Sequence, residues 1–196
     1  VAMTERFNKV SNWVCTEVMK AADIKKRKAV LAKFIEVAAD LRKLNNFNGV
    51  NEIIAGLSNA AVYRLHKTWE QLSTTQRKTY EDLRALMAQE KSYAAMRKEL
   101  SNCNPPCVPY IGVWLTDLTF IEDGNKNTFG DLINYHKRTL IASVIINMRT
   151  YQQAPYNFVE IPYMRNALTK TVFEDLWNDD LLYDTSLVYE PRMAKN

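Results

Sequence analysis

Histidine and glycine are scarce in this chain of 196 residues. The two histidines, His66 and His136, exclude most metal sites built from several histidines, and they leave little material for a nucleophile and base pair. The five glycines form no glycine-rich phosphate loop, so a nucleotide-binding fold of that kind is not expected. We therefore expect no metal, no cofactor and no covalent chemistry.

Long apolar runs and regularly spaced cysteines are also lacking. No run approaches the roughly 18 apolar residues of a membrane span, and the first residues lack the pattern of a secretory signal. The three cysteines, Cys15, Cys103 and Cys107, contain no CxxC pair, which favours reduced thiols, although a bridge between Cys103 and Cys107 stays open. We expect a cytoplasmic protein without direct membrane insertion.

The net charge of +4 is only mildly basic. The run at 25–28, Lys-Lys-Arg-Lys, has two interpretations, a nucleic-acid patch or the solvated face of an amphipathic helix whose apolar side includes Leu31, Phe34 and Ile35. No aromatic interleaving or nucleic-acid motif accompanies the run, which favours the second interpretation. We expect no nucleic-acid partner.

Helical periodicity is present along almost the whole chain. The apolar spacing predicts an all-α fold without repeats or an internal domain boundary. Ser73 and Gln76 have the spacing of a capping box before another helix. The remaining predicted helices are 4–20, 24–44, 49–58, 60–65, 93–100 and 165–176, with irregular chain at 159–162.

The segment 104–125, NPPCVPYIGVWLTDLTFIEDGN, predicts a helix with two different faces. Its three prolines disfavour helix, so we expect the helix to begin near Tyr110. The apolar stripe, which we expect to be buried with Trp114 as its anchor, consists of Ile111, Trp114, Leu115, Leu118 and Ile121. A second stripe, small and polar, consists of Gly112, Thr116, Thr119 and Asp123.

A second long helix follows and completes a helical hairpin. Its apolar positions run from Leu132 to Tyr151, and Pro155 ends it. A short polar loop between the two helices predicts that they are antiparallel. The first helix is thus predicted to be held on one side and to present its polar stripe on the other.

Segment 104–125, together with LNNFNGVNEIIAGLSNAAVYRLHKTW at 44–69, closely resembles the catalytic domain of Ras-family guanine-nucleotide exchange factors, the RasGEF domain of Son of sevenless, Ras-GRF and Epac. The likeness continues through Asn134, Lys137, YQQ at 151–153 and SLVYEPR at 186–192. It implies that residues 1–196 are one RasGEF catalytic domain, an irregular helical bowl from which a hairpin at about 110–153 protrudes. The family has further helices before the segment that matches Thr4, so the domain is expected to be N-terminally incomplete.

The resemblance implies a function without covalent chemistry. A protein of this family binds a Ras-family small GTPase, wedges its switch regions apart with the hairpin and accelerates GDP release so that GTP can load. The alternative is a GTPase-binding scaffold with the same fold that does not exchange nucleotide. Ras is favoured over Rap by a small margin, and the resemblance implies regulatory domains elsewhere in the full-length protein and recruitment to membranes through other domains or partners.

The resemblance also assigns site residues. Thr119 matches a side chain near the magnesium site of the GTPase, and Asp123 matches an acid in the phosphate and magnesium region that is usually glutamate. Other hairpin positions associated with GTPase contact or hairpin posture are Tyr110, Thr116, Asp117 and Asn125. The bowl positions that match the surface gripping switch 2 are Arg27, Asn51, Ser58, Arg64 and Tyr93, with serine where the family commonly has asparagine.

Several of these residues have a plainer alternative. Thr116 and Asp117 could be ordinary helix surface, and Asn125 could be a helix C-cap. Tyr93 could be a half-buried aromatic residue, and Arg64 could serve a structural ion pair rather than a direct contact.

Overall fold

A computed structural model describes residues 2–192 of the protein. These residues form an all-α fold, as predicted, with one minor two-stranded ribbon. Within them, no helix is both long enough and apolar enough to cross a bilayer. The elements are α1 Ala2–Lys20, α2 Ile24–Lys43, α3 Phe47–Leu57, α4 Ala60–Tyr63, α5 His66–Glu70, α6 Thr74–Leu86, α7 Ala94–Asn102, α8 Gly112–Gly124, β1 Thr128–Phe129, β2 Leu132–Ile133, α9 Tyr135–Thr150, α10 Pro162–Thr169, a 3-10 turn Thr171–Phe173, and α11 Asp179–Tyr189.

The body of the protein is the part of the fold outside the α8–α9 hairpin. At its centre is α3, which packs against both α1 and α2. Its residues Phe47, Val50 and Leu57 are fully buried. Gly56 allows the close crossing with α1, because a Cβ there would lie 2.6 Å from the carbonyl oxygen of Ser11. Close helix contact at this point therefore requires glycine.

Several of the helices begin directly after a residue whose side chain accepts hydrogen bonds from the first backbone N–H groups of the helix. The Asp23 carboxylate accepts the N–H groups of Lys25 and Lys26 at the start of α2. The predicted capping box is confirmed, since the Ser73 hydroxyl accepts the Gln76 N–H and the Gln76 side chain accepts the Ser73 N–H. All three cysteines are free thiols, so the bridge between Cys103 and Cys107 is absent here.

The C-terminal part of the chain differs from the prediction. Only the first part of the predicted helix 165–176 is confirmed, because α10 ends at Thr169 and is followed by a 3-10 turn. The last helix, α11, was not predicted. Its N-cap is Asn178, whose side chain accepts the Leu181 N–H, and Asp179 and Asp180 occupy its first turn. It packs on α1 and α4 and closes the fold.

Helices α8 and α9 form an antiparallel hairpin. The start of α8 meets the end of α9, where the rings of Trp114 and Tyr151 are 5.8 Å apart, and the end of α8 meets the start of α9 at Glu122 and Lys137. The connection is not a short polar loop, because β1 and β2 pair across a turn at Gly130. Leu132 and Ile133, expected in the second helix, lie in β2 and are exposed.

Candidate functional site

Helix α8 is held on its apolar side, as predicted. Trp114 is buried, and Leu118 and Ile121 are partly buried on the same side. The stripe is rotated relative to the prediction, since Val113 is buried and Leu115 is 50% exposed. The helix begins at Gly112 with Ile111 as its N-cap, close to the predicted start near Tyr110.

The opposite face of α8 is polar and exposed. The hydroxyls of Thr116 and Thr119 donate to the carbonyl oxygens of Gly112 and Leu115 at 2.8 and 3.0 Å, which uses their protons and leaves their oxygen lone pairs available. Asp123 is exposed, and its carboxylate accepts no hydrogen bond from residues 2–192. Thr119 and Asp123 are four residues apart on the helix and therefore share a face.

At the far end of the hairpin, the buried ammonium of Lys137 connects α9 to the end of α8. Lys137 Nζ lies 2.8 Å from Oε1 of Glu122 and donates to the carbonyl oxygens of Glu122 and Asn125. The Asn125 side chain donates to the Ile121 carbonyl oxygen at 3.0 Å, which is the C-cap alternative for this residue. Asn134 caps α9 by accepting the Lys137 N–H.

The base of the hairpin is tied to the body through Asp117. Its two carboxylate oxygens accept from Nη1 and Nη2 of Arg97 at 2.9 and 2.7 Å. The Tyr151 hydroxyl also donates to the Leu100 carbonyl oxygen. Asp117 is thus engaged within the protein rather than free on the helix surface.

Three of the predicted contact residues come together beside the hairpin. The rings of Tyr93 and Tyr110 are 5.7 Å apart, and the Asn51 side chain lies near enough to the Tyr110 hydroxyl to act on its pKa. Burial, together with Tyr93, raises the pKa of Tyr110, whereas the nearby Asn51 lowers it in part. Gly112 has no space for a side chain, because a Cβ there would lie 2.3 Å from the Tyr110 ring. Tyr93 is half-buried and occupies a left-handed backbone position at φ 62°.

Ser58 lies in an exposed position, and its hydroxyl is 3.1 Å from that of Tyr80. Near it in sequence, Tyr63 is 46% exposed and its ring lies beneath Arg84. Sequence reasoning did not select Tyr63, because α4 has only four residues and gives no readable periodicity.

Arg27 and Arg64 hold the body together. Arg27 is 2% exposed, donates to Thr68 and to the carbonyl oxygens of Ala21 and Ala22, and stacks on Tyr189. Arg27 is thus the exception within a 25–28 run that is interpreted as mostly a solvated face, and its burial favours a structural role.

Arg64 donates to the carbonyl oxygen and hydroxyl of Ser186 in α11. Its partner is neutral, so the structural role is hydrogen bonding rather than an ion pair. Both arginines are thus engaged with residues outside the hairpin, whereas Asn51, Tyr93 and Tyr110 lie close to one another.

Within residues 2–192 there is no group of three or more His, Cys, Asp or Glu side chains placed to hold a metal ion. The polar face of α8 presents the hydroxyls of Thr116 and Thr119 and the carboxylate of Asp123.

Comparison with known proteins places this architecture in a family. The RasGEF domain model matches residues 1–139. The chain is 40% identical over 192 residues to Ras-specific guanine nucleotide-releasing factor 2 of Danio rerio, covering 97% of this chain and 15% of that protein. It is 41% identical over 196 residues to Ras guanine nucleotide exchange factor P of Dictyostelium discoideum, covering 99% of this chain and 13% of that protein. The chain thus spans only a small part of the length of these relatives, and it belongs to the RasGEF domain family.

Proposed function

We propose that this domain binds a Ras-family small GTPase and accelerates the release of its bound GDP, so that GTP can load. The observation that carries the proposal is the exposed Asp123 carboxylate beside Thr119. This carboxylate has no hydrogen-bond or ion-pair partner within residues 2–192, and it lies on a helix whose opposite side is fixed by Trp114. Family membership and the relatives named as Ras exchange factors support the same function.

The thermodynamic task is to weaken nucleotide binding without a covalent step. Sub-nanomolar nucleotide affinity corresponds to about 12 kcal/mol or more, so spontaneous release is slow. A factor that binds the nucleotide-free GTPase better than the nucleotide-bound form must, by linkage, weaken nucleotide by the same factor. A hairpin that occupies space between the switch regions would supply this difference in affinity.

Asp123 and Thr119 are the hairpin residues that we propose act at the nucleotide site of the GTPase. A carboxylate brought to the nucleotide site repels phosphate oxygens and can accept from the GTPase groups that had held phosphate and magnesium. Thr119 would lie near the magnesium site, where the lone pairs of its hydroxyl oxygen can accept a hydrogen bond from the GTPase. The Asp123 side chain is one methylene shorter than the family's usual glutamate. How closely its carboxylate approaches the phosphate and magnesium site therefore decides how strongly it weakens nucleotide binding.

The other proposed contacts are divided between the hairpin and the body. Asn51, Tyr93 and Tyr110 form one continuous cluster beside α8, which suits a surface for the mobile switch 2 segment. Ser58 and Thr116 are exposed and accessible to a partner. Ras is favoured over Rap, and the names of the relatives in Danio rerio and Dictyostelium discoideum support that order.

The test is release of a fluorescent guanine nucleotide from a panel of Ras and Rap proteins, with excess unlabelled nucleotide. Asp123→Asn should slow release while binding to nucleotide-free GTPase is largely kept, and Asp123→Glu should preserve or raise the rate. Asp131→Asn, which removes another exposed acid of the hairpin, is the matched control and should leave the rate unchanged. Binding without acceleration by any panel member would instead identify a non-exchanging scaffold.

A further inference from the structure

Arg97 occupies a junction between the body and the hairpin. Its Nη1 and Nη2 atoms engage both oxygens of Asp117 in α8, and its Nε donates to the Ser92 carbonyl oxygen at 2.7 Å. Ser92 belongs to a turn whose residues Lys91 to Tyr93 all have positive φ. One planar guanidinium therefore fixes the orientation of α8 relative to a turn that leads directly to Tyr93.

Between Leu118 and Thr150, the part of the hairpin that the structure describes has no polar tie to the body. From Leu118 to Thr150, every hydrogen bond and ion pair within residues 2–192 joins two hairpin residues, including those of Lys137. At the base, the Tyr151 hydroxyl donates to the Leu100 carbonyl oxygen, and Val113 and Trp114 are buried in the apolar core. Apolar contacts are non-directional, whereas a bidentate ion pair has a defined orientation.

Asp117 also lies at a point of α8 where a small change in helix orientation moves the far end of the helix by a larger distance. Asp123 lies six residues further along α8, about 9 Å at 1.5 Å per residue, so a small rotation at the base displaces the carboxylate. The pair is partly open, with side-chain exposures of 35% for Arg97 and 27% for Asp117. Pairs of this kind contribute little to global stability, so breaking one can alter orientation without unfolding the protein.

We propose that the Arg97–Asp117 ion pair is a posture latch, meaning that it sets the angle at which the hairpin presents Thr119 and Asp123 to the GTPase. Asp117 then acts as a positioning residue through Arg97 and not through the GTPase. This inference rests on the proposed exchange function.

The latch is tested by steady-state exchange with Asp117→Asn, Arg97→Gln, Arg97→Lys and the Asp117→Asn/Arg97→Gln double variant. Each single variant should lower the rate at saturating GTPase by about fivefold and change the half-saturating concentration by less than twofold. The double variant should be no slower than the single ones, because both remove the same interaction. Asp40→Asn, which breaks the exposed Asp40–Lys43 pair of α2, is the control and should match wild type.

A direct contact between Asp117 and the GTPase gives another pattern, since Asp117→Asn would then slow exchange while Arg97→Gln and Arg97→Lys would not. That result, or additive losses in the double variant, overturns the latch. Arg97→Lys keeps the charge and covers the case in which Arg97→Gln does not fold, because lysine cannot engage both oxygens in the same plane.

Hairpin posture is measured separately, so that failure of the latch and failure of the exchange function can be distinguished. Spin labels at Asp131→Cys in the hairpin and Glu36→Cys in α2, with Cys103→Ser to remove the partly exposed thiol, report the distance between hairpin and body. Asp117→Asn and Arg97→Gln should each broaden or shift this distance, even if the wild type releases no nucleotide. An unchanged distance distribution in both variants overturns the latch.

Discussion

Lys137 is 1% exposed, yet its ammonium lies 2.8 Å from a carboxylate oxygen of Glu122, whose own side chain is 57% exposed. The ammonium also donates to the carbonyl oxygens of Glu122 and Asn125 at 3.2 and 2.9 Å. All three protons of Lys137 are therefore used. The charge sits at the C-terminal end of α8, where the helix dipole favours a cation, and it joins the two helices next to Asp123.

Replacing Lys137 with methionine should loosen the last turn of α8. The substitution keeps most of the volume but leaves two partly buried carbonyl groups without their donor, so we expect the free energy of unfolding to fall by about 2 kcal/mol. Hydrogen exchange should accelerate from Leu118 to Asn125, and nucleotide release should slow because Asp123 is less well held. Denaturant unfolding and exchange mass spectrometry measure these effects.

Lys126→Met is the matched control for Lys137→Met. Lys126 is an exposed lysine of the same hairpin, and its loss should change the free energy of unfolding by no more than about 0.5 kcal/mol. If both variants are as stable and as protected as wild type, the buried ammonium does not hold the hairpin.

The same contact predicts a dependence on pH. The hydrogen bond from Lys137 holds the pKa of Glu122 below its ordinary value of 4.5, and the charges of Lys137 and Arg138 lower it further. A carboxylate whose pKa is lowered by folding stabilises the folded state above the unfolded pKa, and this contribution is lost as the pH falls through the folded pKa. The stability advantage of wild type over Glu122→Gln should therefore be full near pH 7 and shrink below pH 4.5.

Denaturant unfolding at a series of pH values checks this dependence. In a Lys137→Met background, the Glu122→Gln substitution should show a much weaker dependence on pH, since the main cause of the pKa shift is gone. An advantage of wild type that is constant down to the acid limit of folding would contradict the proposed role of the pair.

The sequence predicted those parts of the fold whose determining residues lie within a few positions of one another. Ser73 and Gln76 form their capping box because both partners lie within one turn. Two local signals were present but not used, the Asn178 cap followed by two aspartates before α11, and the Gly130–Asp131 turn of the ribbon. Leu115 was assigned to the wrong face, because helical spacing alone does not fix where the centre of a broad apolar stripe lies.

The site residues depended on contacts between distant parts of the chain. Arg27, Arg64 and Asp117 are all charged residues at surface-like positions in sequence, and all three have partners far away or in another helix. No periodicity encodes the pairing of Arg64 with Ser186, which lies 122 residues away. Thr119 and Asp123 were easier to place on one face, because their spacing within one helix decides it.

Arg27 should matter for stability rather than for binding. Arg27→Ala leaves the carbonyl oxygens of Ala21 and Ala22 without a donor and removes the stacking on Tyr189, so we expect a loss of about 3 kcal/mol in the free energy of unfolding. Lys25→Ala, at an exposed position of the same helix, should cost no more than about 0.5 kcal/mol. A fully stable Arg27→Ala that no longer binds GTPase would restore Arg27 as a contact residue.

Trp114 should be the main apolar anchor of the hairpin. It is 7% exposed, and with Met148 and Tyr151 it borders a pocket of about 180 Å³ that opens to solvent, so truncation enlarges a space that already exists. Trp114→Ala should lower the free energy of unfolding by about 3 to 5 kcal/mol, and Trp114→Phe by less because it keeps a ring against Tyr151.

The enlarged pocket gives Trp114→Ala a second readout. The space that the indole ring vacates next to this mainly apolar pocket should accept free indole, so indole should raise the melting temperature of Trp114→Ala and leave that of wild type unchanged. Leu115→Ala, at the exposed neighbouring position, is the control and should be nearly neutral. If Leu115→Ala proved the more destabilising of the two, Trp114 would not be the main apolar anchor of α8.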